Sequence, residues 1–286
     1  MYLLLAVLAG LGNAGVGLWG ATAQRRGCRP GAVALLFLST VALVSLLILP
    51  AVSRAGATPG LWGLAACMGA LYVAAIRTSV VANGRCPPSL VWSLANLAMV
   101  VSIGLAPLIF AERWQPIDAL IAAAFAGLLY AFHRGTNQAG ERPASGWSRV
   151  LPLLAVVFLS NGLLMLGYKL KAAYWPEAGA VPFAAMVFGC GSLLELALQW
   201  LPQRRLELRP EEWRYGIAVG LAAAVANIAL VGAAPLPAVI LFPIVQGLSL
   251  SGGALLIIVC LHEGVNRWKV LGFAMAGVVM AAAVLR

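Results

Sequence analysis

Charged side chains are scarce in this sequence, since only 10% of its 286 residues are Asp, Glu, Lys or Arg. A soluble globular domain carries about 25%, so the scarcity excludes an ordinary water-soluble enzyme. Histidine occurs only twice, at His133 and His262, and we interpret both as interfacial residues at helix ends. The chain also lacks GxSxG and HExxH motifs and a phosphate-binding loop. We therefore predict that the protein is not an enzyme.

Cysteine is sparse as well, with five residues and no CxxC pair. Scattered thiols of this kind predict neither a disulfide nor a metal site, and we expect no cofactor. The chain has a formal net charge of +10, which in a soluble protein would suggest nucleic acid. Here the basic residues stand singly or in pairs between apolar runs, which is typical of headgroup anchors, so no nucleic-acid partner is predicted.

Apolar residues make up most of the chain, at 62% with a mean hydropathy of +0.95. A helix needs about 20 apolar residues to cross the bilayer core, and unbroken runs of that length favour helices over barrel strands. Ten segments qualify, at about 2–22, 31–50, 60–81, 88–110, 116–133, 149–168, 180–200, 214–233, 237–260 and 269–285. The sequence predicts an all-α membrane protein with ten transmembrane helices. No basic region of a cleaved signal peptide precedes the first helix, so we expect it to be retained.

The two halves of the chain repeat the same features in the same order. A polar linker, 136–148, separates residues 1–135 from residues 149–286, and each half holds five segments. The matched features are Asn13 with Asn161, Trp62 and Gly69 with Trp213 and Gly220, Pro87-Pro88 with Pro235 and Pro237, and Glu112 with Glu263. With five segments per copy, the second copy must enter the membrane from the opposite side. We therefore predict two inverted five-helix repeats, an arrangement common in secondary transporters.

On these features the chain resembles the drug/metabolite transporter superfamily, in its ten-span EamA-type branch. The resemblance covers nearly the whole chain and depends on the two five-span halves and on the glutamate that opens the last hairpin of each half, Glu112 and Glu263. It implies a carrier of small organic solutes. It also implies a cavity formed by the first, third and fourth spans of each half.

Basic residues are distributed unevenly between the two sides of the predicted bundle. The odd-numbered loops and their flanks hold fourteen Lys and Arg residues, and the other side holds five. The positive-inside rule then places the odd loops in the cytoplasm and both termini outside, although members of the resembled family are usually drawn with both termini inside. We expect a multi-pass protein of the cell (inner) membrane.

Polar side chains within the spans are the candidate binding residues, because polar groups are costly in hydrocarbon. Those on the predicted cavity helices are Asn13, Trp92, Asn96, Asn161, Tyr168, Asn227 and Gln246. A mixture of amides and aromatic rings suits a partly apolar solute. The alternative is that the amides only link neighbouring helices.

Charged residues near the cavity are expected to be basic, namely Arg77 and Lys169. The alternative for these two, and for Lys171, is that they snorkel to the headgroups. We expect Glu195 to lie at the level of the headgroups. The first helix offers Asn13 and no acid, and a buried cation without a carboxylate is costly. A neutral, zwitterionic or anionic solute is therefore favoured over a permanently cationic drug.

The leading hypothesis is a secondary transporter of small organic metabolites that resemble amino acids, nucleosides or organic acids, working by alternating access. The alternatives are an integral-membrane scaffold or sensor and a lipid-acting membrane enzyme, neither of which transports. The expected partners are the small-molecule substrate, the lipid bilayer, and a coupling proton or an exchanged solute. We expect a monomer or a homodimer.

Overall fold

The structure, a computed structural model, describes residues 1–48, 58–83, 85, 88–110, 116–137, 147–203, 208–261 and 267–285. These residues form helices joined by short connections, with no strand among them. The helices are α1 (Tyr2–Arg25), α2 (Pro30–Ile48), α3 (Pro59–Asn83), α4 (Pro88–Leu97), α5 (Met99–Phe110), α6 (Pro116–Asn137), α7 (Trp147–Tyr174), α8 (Ala180–Gln203), α9 (Pro210–Ala233), α10 (Ala238–Leu261) and α11 (Arg267–Leu285). Glu112, Glu263, His262 and most of the linker lie outside the described residues.

Six of these helices are long and apolar enough to cross a membrane, namely α1, α2, α3, α7, α8 and α9. The prediction of a helical, membrane-embedded chain is confirmed to that extent. Helices dominate because a chain in hydrocarbon must satisfy each backbone N–H and C=O within its own segment.

The fourth predicted segment is two helices rather than one. The α-helical pattern stops at Leu97 and resumes at Met99, and Ala98 lies in a turn between them. The interruption faces α7, where a Cβ on Gly162 would lie 2.9 Å from the Ala98 carbonyl oxygen. The Ser102 hydroxyl donates to the Gly162 carbonyl oxygen at 3.0 Å. The helix therefore breaks where it meets a glycine of its neighbour.

Small residues bring the helices together. A Cβ on Gly69 of α3 would lie 2.7 Å from the backbone nitrogen of Gly191 in α8. On α9, a Cβ at Gly216 would lie 2.6 Å from Leu36 and one at Gly220 would lie 2.5 Å from Thr40. These backbones approach as closely as they do only because glycine has no Cβ.

The contacts between helices define their relative directions. Helix α1 runs parallel to α10, because Gly10 lies against Leu248 while Ala14 lies against Gly252. Helix α3 is parallel to α8, because Gly69 lies against Gly191 and Arg77 further along contacts Glu195. Helix α2 is parallel to α9, because Arg29 contacts Glu212 and Leu36 further along lies against Gly216. Helix pairs α1 and α9, α2 and α8, and α3 and α7 are antiparallel.

The bundle therefore has two ends, which we name by the helices that start there. The α1 end holds the starts of α1, α3, α8 and α10, and the α2 end holds the starts of α2, α7 and α9. The largest apolar cluster runs between them and includes Phe37, Met68, Phe183, Phe188 and Phe242.

Candidate functional site

Three polar side chains from three different helices meet inside the bundle. The hydroxyl oxygens of Tyr72 in α3 and Tyr168 in α7 lie 2.5 Å apart. Both hydroxyls also donate to the Oδ1 atom of Asn227 in α9, Tyr72 at 2.5 Å and Tyr168 at 2.6 Å. We call these three residues the tyrosine–asparagine triad.

The triad is anchored through Asn227. The Asn227 amide nitrogen donates to the Ala223 carbonyl oxygen at 2.9 Å, one turn earlier in α9, which fixes the direction of its carbonyl. Tyr168 is 2% exposed and Asn227 is 6% exposed, whereas Tyr72 is only partly buried. Tyr72 is therefore the least buried member of the triad.

An aromatic wall supports the Tyr72 ring. The ring centroid lies 4.7 Å from that of Phe188 in α8 and 6.3 Å from that of Phe37 in α2. The two phenylalanine rings meet edge to face at 5.9 Å. Such contacts restrict the tyrosine ring, so its hydroxyl is presented from a defined position.

The triad has fewer hydroxyl hydrogens than close oxygen–oxygen contacts. Two phenol hydrogens serve three close oxygen–oxygen contacts, because the Asn227 carbonyl can only accept. When both hydroxyls donate to Asn227, no hydrogen lies between the two phenol oxygens. The two phenol oxygens can then accept from an N–H or O–H of a bound molecule.

Trp92 and Asn96 share one face of α4. The Asn96 amide, 2% exposed, donates to the Trp92 carbonyl oxygen of its own helix at 2.7 Å. A Cβ on Gly17 of α1 would lie 3.2 Å from the Trp92 ring. Trp92 therefore lies between α1 and α4 towards the α2 end.

The remaining predicted amides lie apart from the triad contacts. The Asn161 amide donates to the Val157 carbonyl oxygen of its own helix at 2.8 Å. The Gln246 amide lies 3.7 Å from the Met165 sulfur across the α10–α7 boundary. Asn13 is partly buried, and it lies one turn before Gly17 on α1 and so shares the face that meets Trp92.

Arg77 of α3 forms an ion pair with Glu195 of α8. Its Nε donates to Glu195 Oε2 at 2.8 Å and its Nη2 donates to Glu195 Oε1 at 2.9 Å. Glu195 is fully buried, and Gln199 also donates to it at 2.8 Å. The carboxylate is enclosed because α8 packs directly on α3. The charge of Arg77 is neutralised there.

The two lysines of α7 are buried. The helix continues six residues beyond its expected end to Tyr174, and Lys169 and Lys171 are 6% and 5% exposed. The Lys169 ammonium donates to the Leu236 carbonyl oxygen at 2.7 Å and lies 5.7 Å from the Phe110 ring centroid. Lys169 thus joins α7, the α9–α10 connection and the end of α5 at the α1 end of the bundle.

Two features were not predicted from the sequence. Tyr72 is not among the predicted binding residues, although a lone tyrosine in the middle of an apolar span is itself a signal for a hydrogen-bonded site. The second is a bidentate ion pair in which Arg29 Nε and Nη2 donate to Glu212 at 2.8 Å and 2.9 Å. It joins the start of α2 to the start of α9.

Comparison with known proteins concerns the fold. No family model matches the chain, and no curated protein matches it. One solved structure, described only as the crystal structure of a protein, superposes with a TM-score of 0.70. The match covers 97% of this chain and 98% of that chain, at 14% sequence identity. The fold of the whole chain therefore occurs in a crystal structure. At this identity the similarity concerns the fold alone.

Proposed function

We propose that the chain is a secondary transporter of small organic metabolites, built from ten spans in two inverted halves and working by alternating access. In this proposal α4 and α5 together form the fourth span. The proposal agrees with the resemblance of the sequence to ten-span EamA-type drug/metabolite transporters. It also includes a position in the cell (inner) membrane with both termini on the non-cytoplasmic side.

Reciprocal helix contacts support the inverted repeat. Gly69 meets Gly191 between α3 and α8, and Gly220 meets Thr40 between α9 and α2. Gly69 and Gly220 are 151 residues apart in the sequence, and so are Thr40 and Gly191. Exchanging the two halves therefore turns one contact into the other.

A second pair of contacts relates the two halves at a slightly different spacing, since Ala14 and Gly162 are 148 residues apart and Val101 and Gly252 are 151 apart. Gly162 of α7 lies against Val101 of α5, and Ala14 of α1 lies against Gly252 of α10. Helix α1 starts at one end of the bundle and α7, its counterpart, starts at the other. Opposite directions of equivalent helices are what an inverted repeat requires.

The observation that carries the proposal is the position of the triad across the two halves. Tyr72 belongs to the first half, and Tyr168 and Asn227 belong to the second. They lie on the third, sixth and eighth spans, which are among the cavity spans that the resemblance implies. A relative movement of the halves would pull these hydrogen bonds apart, so solute binding and movement would be coupled at this point.

The charges support a solute that carries an N–H or O–H donor and no permanent, isolated positive charge. The two buried glutamates of the described helices, Glu195 and Glu212, are both paired with arginine. They are not free to balance a cationic drug. The phenol oxygens of Tyr72 and Tyr168 accept the donor, and the amides and aromatic rings nearby suit the remainder of an amino acid or nucleoside.

Transport in proteoliposomes tests the proposal directly. Purified protein is reconstituted, and counterflow is measured with a tritiated amino-acid mixture, tritiated uridine, carbon-14 lactate and tritiated tetraphenylphosphonium as separate probes. We expect protein-dependent counterflow of one of the first three and none of the phosphonium cation. Preference for the phosphonium would refute the solute assignment. Absence of counterflow with every probe would favour the scaffold, sensor or lipid-enzyme alternatives.

Variants of the site extend the test. Tyr72→Phe removes one hydroxyl and should weaken the apparent affinity for the transported probe by about tenfold. Tyr174→Phe, on an exposed residue of α7, is the matched control and should transport normally. Asn13→Ala combined with Asn161→Ala should also weaken transport without loss of folded protein. Normal transport by the Tyr72→Phe variant would remove the triad from the mechanism.

A further inference from the structure

A second candidate site lies on the outer surface of the bundle, where α6 and α11 meet. A Cβ on Gly127 would lie 2.7 Å from the Met275 side chain, so the two helices are closely packed. They run antiparallel, because Tyr130 of α6 faces Trp268 at the start of α11 with ring centroids 6.1 Å apart. The end of α6 and the start of α11 thus meet at the α2 end.

Two arginines converge on this aromatic pair. The guanidinium carbon of Arg134 lies 5.5 Å from the Tyr130 ring centroid and 5.6 Å from the Trp268 ring centroid. The guanidinium carbon of Arg267 lies 5.8 Å from the centroid of the same Trp268 ring. Both arginines are exposed. Within the described part of the chain, neither forms an ion pair with a carboxylate.

The positive charges of two exposed guanidinium groups beside one indole ring repel each other, and an anion that contacts both groups would remove this repulsion. The cation–π contacts offset part of this repulsion but do not neutralise the charge. Guanidinium groups bind phosphate in bidentate fashion. The aromatic pair is typical of the headgroup level of a membrane protein.

The surroundings favour one source of phosphate. Val270 and Leu271, in the first turn of α11, are 56% and 45% exposed, so an apolar surface adjoins the arginines. A molecule that contacts both the arginines and this apolar surface needs an anionic head and an apolar tail. We propose that Arg134, Arg267, Tyr130 and Trp268 form a binding site for the headgroup of an anionic phospholipid. The site is separate from the triad and does not depend on transport.

Lipid retention measured by native mass spectrometry tests the site. Delipidated protein in a neutral detergent is mixed with equal amounts of phosphatidylglycerol and phosphatidylcholine. Wild-type protein should retain phosphatidylglycerol in preference. The double variant Arg134→Gln/Arg267→Gln should bind phosphatidylglycerol at least about tenfold more weakly, since each juxtamembrane arginine contributes about fivefold. Equal retention of the two lipids by the wild type would overturn the proposal.

Arg214→Gln is the matched control, because Arg214 is an exposed arginine at the same end of the bundle, 5.8 Å from the Tyr215 ring centroid. It should retain the wild-type preference. A loss equal to that of the double variant would reduce the effect to net charge and overturn the site. A salt titration tests the site without any substitution. The preference of the wild-type protein for phosphatidylglycerol over phosphatidylcholine should fall as NaCl rises from about 0.05 M to about 0.5 M. A preference unaffected by salt would also contradict a phosphate–guanidinium contact.

Discussion

The ion pair between Arg77 and Glu195 should show an unequal response to loss of its two members. Arg77 keeps 38% of its side chain exposed, whereas Glu195 has none exposed. Replacing Arg77 by Gln leaves a buried carboxylate with the Gln199 amide, at 2.8 Å, as its remaining donor. Loss of one partner of a buried pair costs about 3–5 kcal/mol, and we expect about 3 kcal/mol because water reaches the arginine.

Glu195→Gln should cost less, about 1–2 kcal/mol. The neutral amide still accepts from the guanidinium, and the uncompensated positive charge has access to solvent. The double variant Arg77→Gln/Glu195→Gln should then be more stable than Arg77→Gln alone, because it no longer buries an isolated charge. These three results together follow from the difference in exposure between the two side chains.

The Arg29–Glu212 pair provides a comparison within the same chain. Glu212 is also fully buried, but it accepts from the backbone N–H groups of Arg29 at 3.0 Å and Arg209 at 2.9 Å. Those two donors remain when the Arg29 side chain is shortened. Arg29→Gln should therefore cost about 1–2 kcal/mol, less than Arg77→Gln.

The free energy of unfolding can be measured by adding sodium dodecyl sulfate to protein in mixed micelles and following helicity by circular dichroism. Each variant is compared with the wild type in the same preparation. The reasoning is refuted if Glu195→Gln destabilises more than Arg77→Gln, or if the double variant loses the sum of the two single losses. Equal losses for Arg29→Gln and Arg77→Gln would refute the role of the backbone donors.

Three further predictions concern packing, topology and the labelling of Cys28. Gly69→Ala should lower the free energy of unfolding by about 1–3 kcal/mol, because the new Cβ would lie 2.7 Å from the α8 backbone. Gly63→Ala is the control, since a Cβ there would meet nothing within 4 Å, and it should be neutral or slightly stabilising in the same unfolding assay. Cysteines introduced at Gln24 and Gln203 in a cysteine-free background should react with an impermeant maleimide only after permeabilisation, and ready labelling in intact cells would reverse the proposed orientation. In the native sequence, partial burial and the nearby Glu212 and Glu211 raise the pKa of the Cys28 thiol. Cys28 should thus label more slowly than a cysteine at position 24 and gain rate as the pH rises.

The sequence by itself determined the helices and their approximate ends. Each described helix overlaps a predicted segment, although the fourth segment forms α4 and α5 and α7 extends beyond its expected end. An apolar run of this length has no alternative to internal backbone hydrogen bonding in a bilayer. Gly216 and Gly220 are four residues apart, and both lie against α2, as small residues at this spacing allow. The break at Ala98, which lies against Gly162 of another helix, was not predicted.

The sequence located only part of the candidate site. Tyr168 and Asn227 were named as polar residues in apolar spans, and the structure brings both into the triad. Asn96 and Asn161 were named on the same grounds, yet their amides donate to carbonyls of their own helices. A polar residue in a span must find a partner, but the span alone does not say whether that partner lies in its own helix.

Tertiary structure decided which polar groups meet. Arg77 and Glu195 are 118 residues apart, Arg29 and Glu212 are 183 apart, and Tyr72 meets Asn227 across 155 residues. These spans are apolar around most of their circumference, so no polar face indicates how each helix is rotated. That rotation is set by which small residues let two helices approach, such as Gly69 and Gly191. Only this packing brings Glu195 under Arg77 and Tyr72 beside Tyr168.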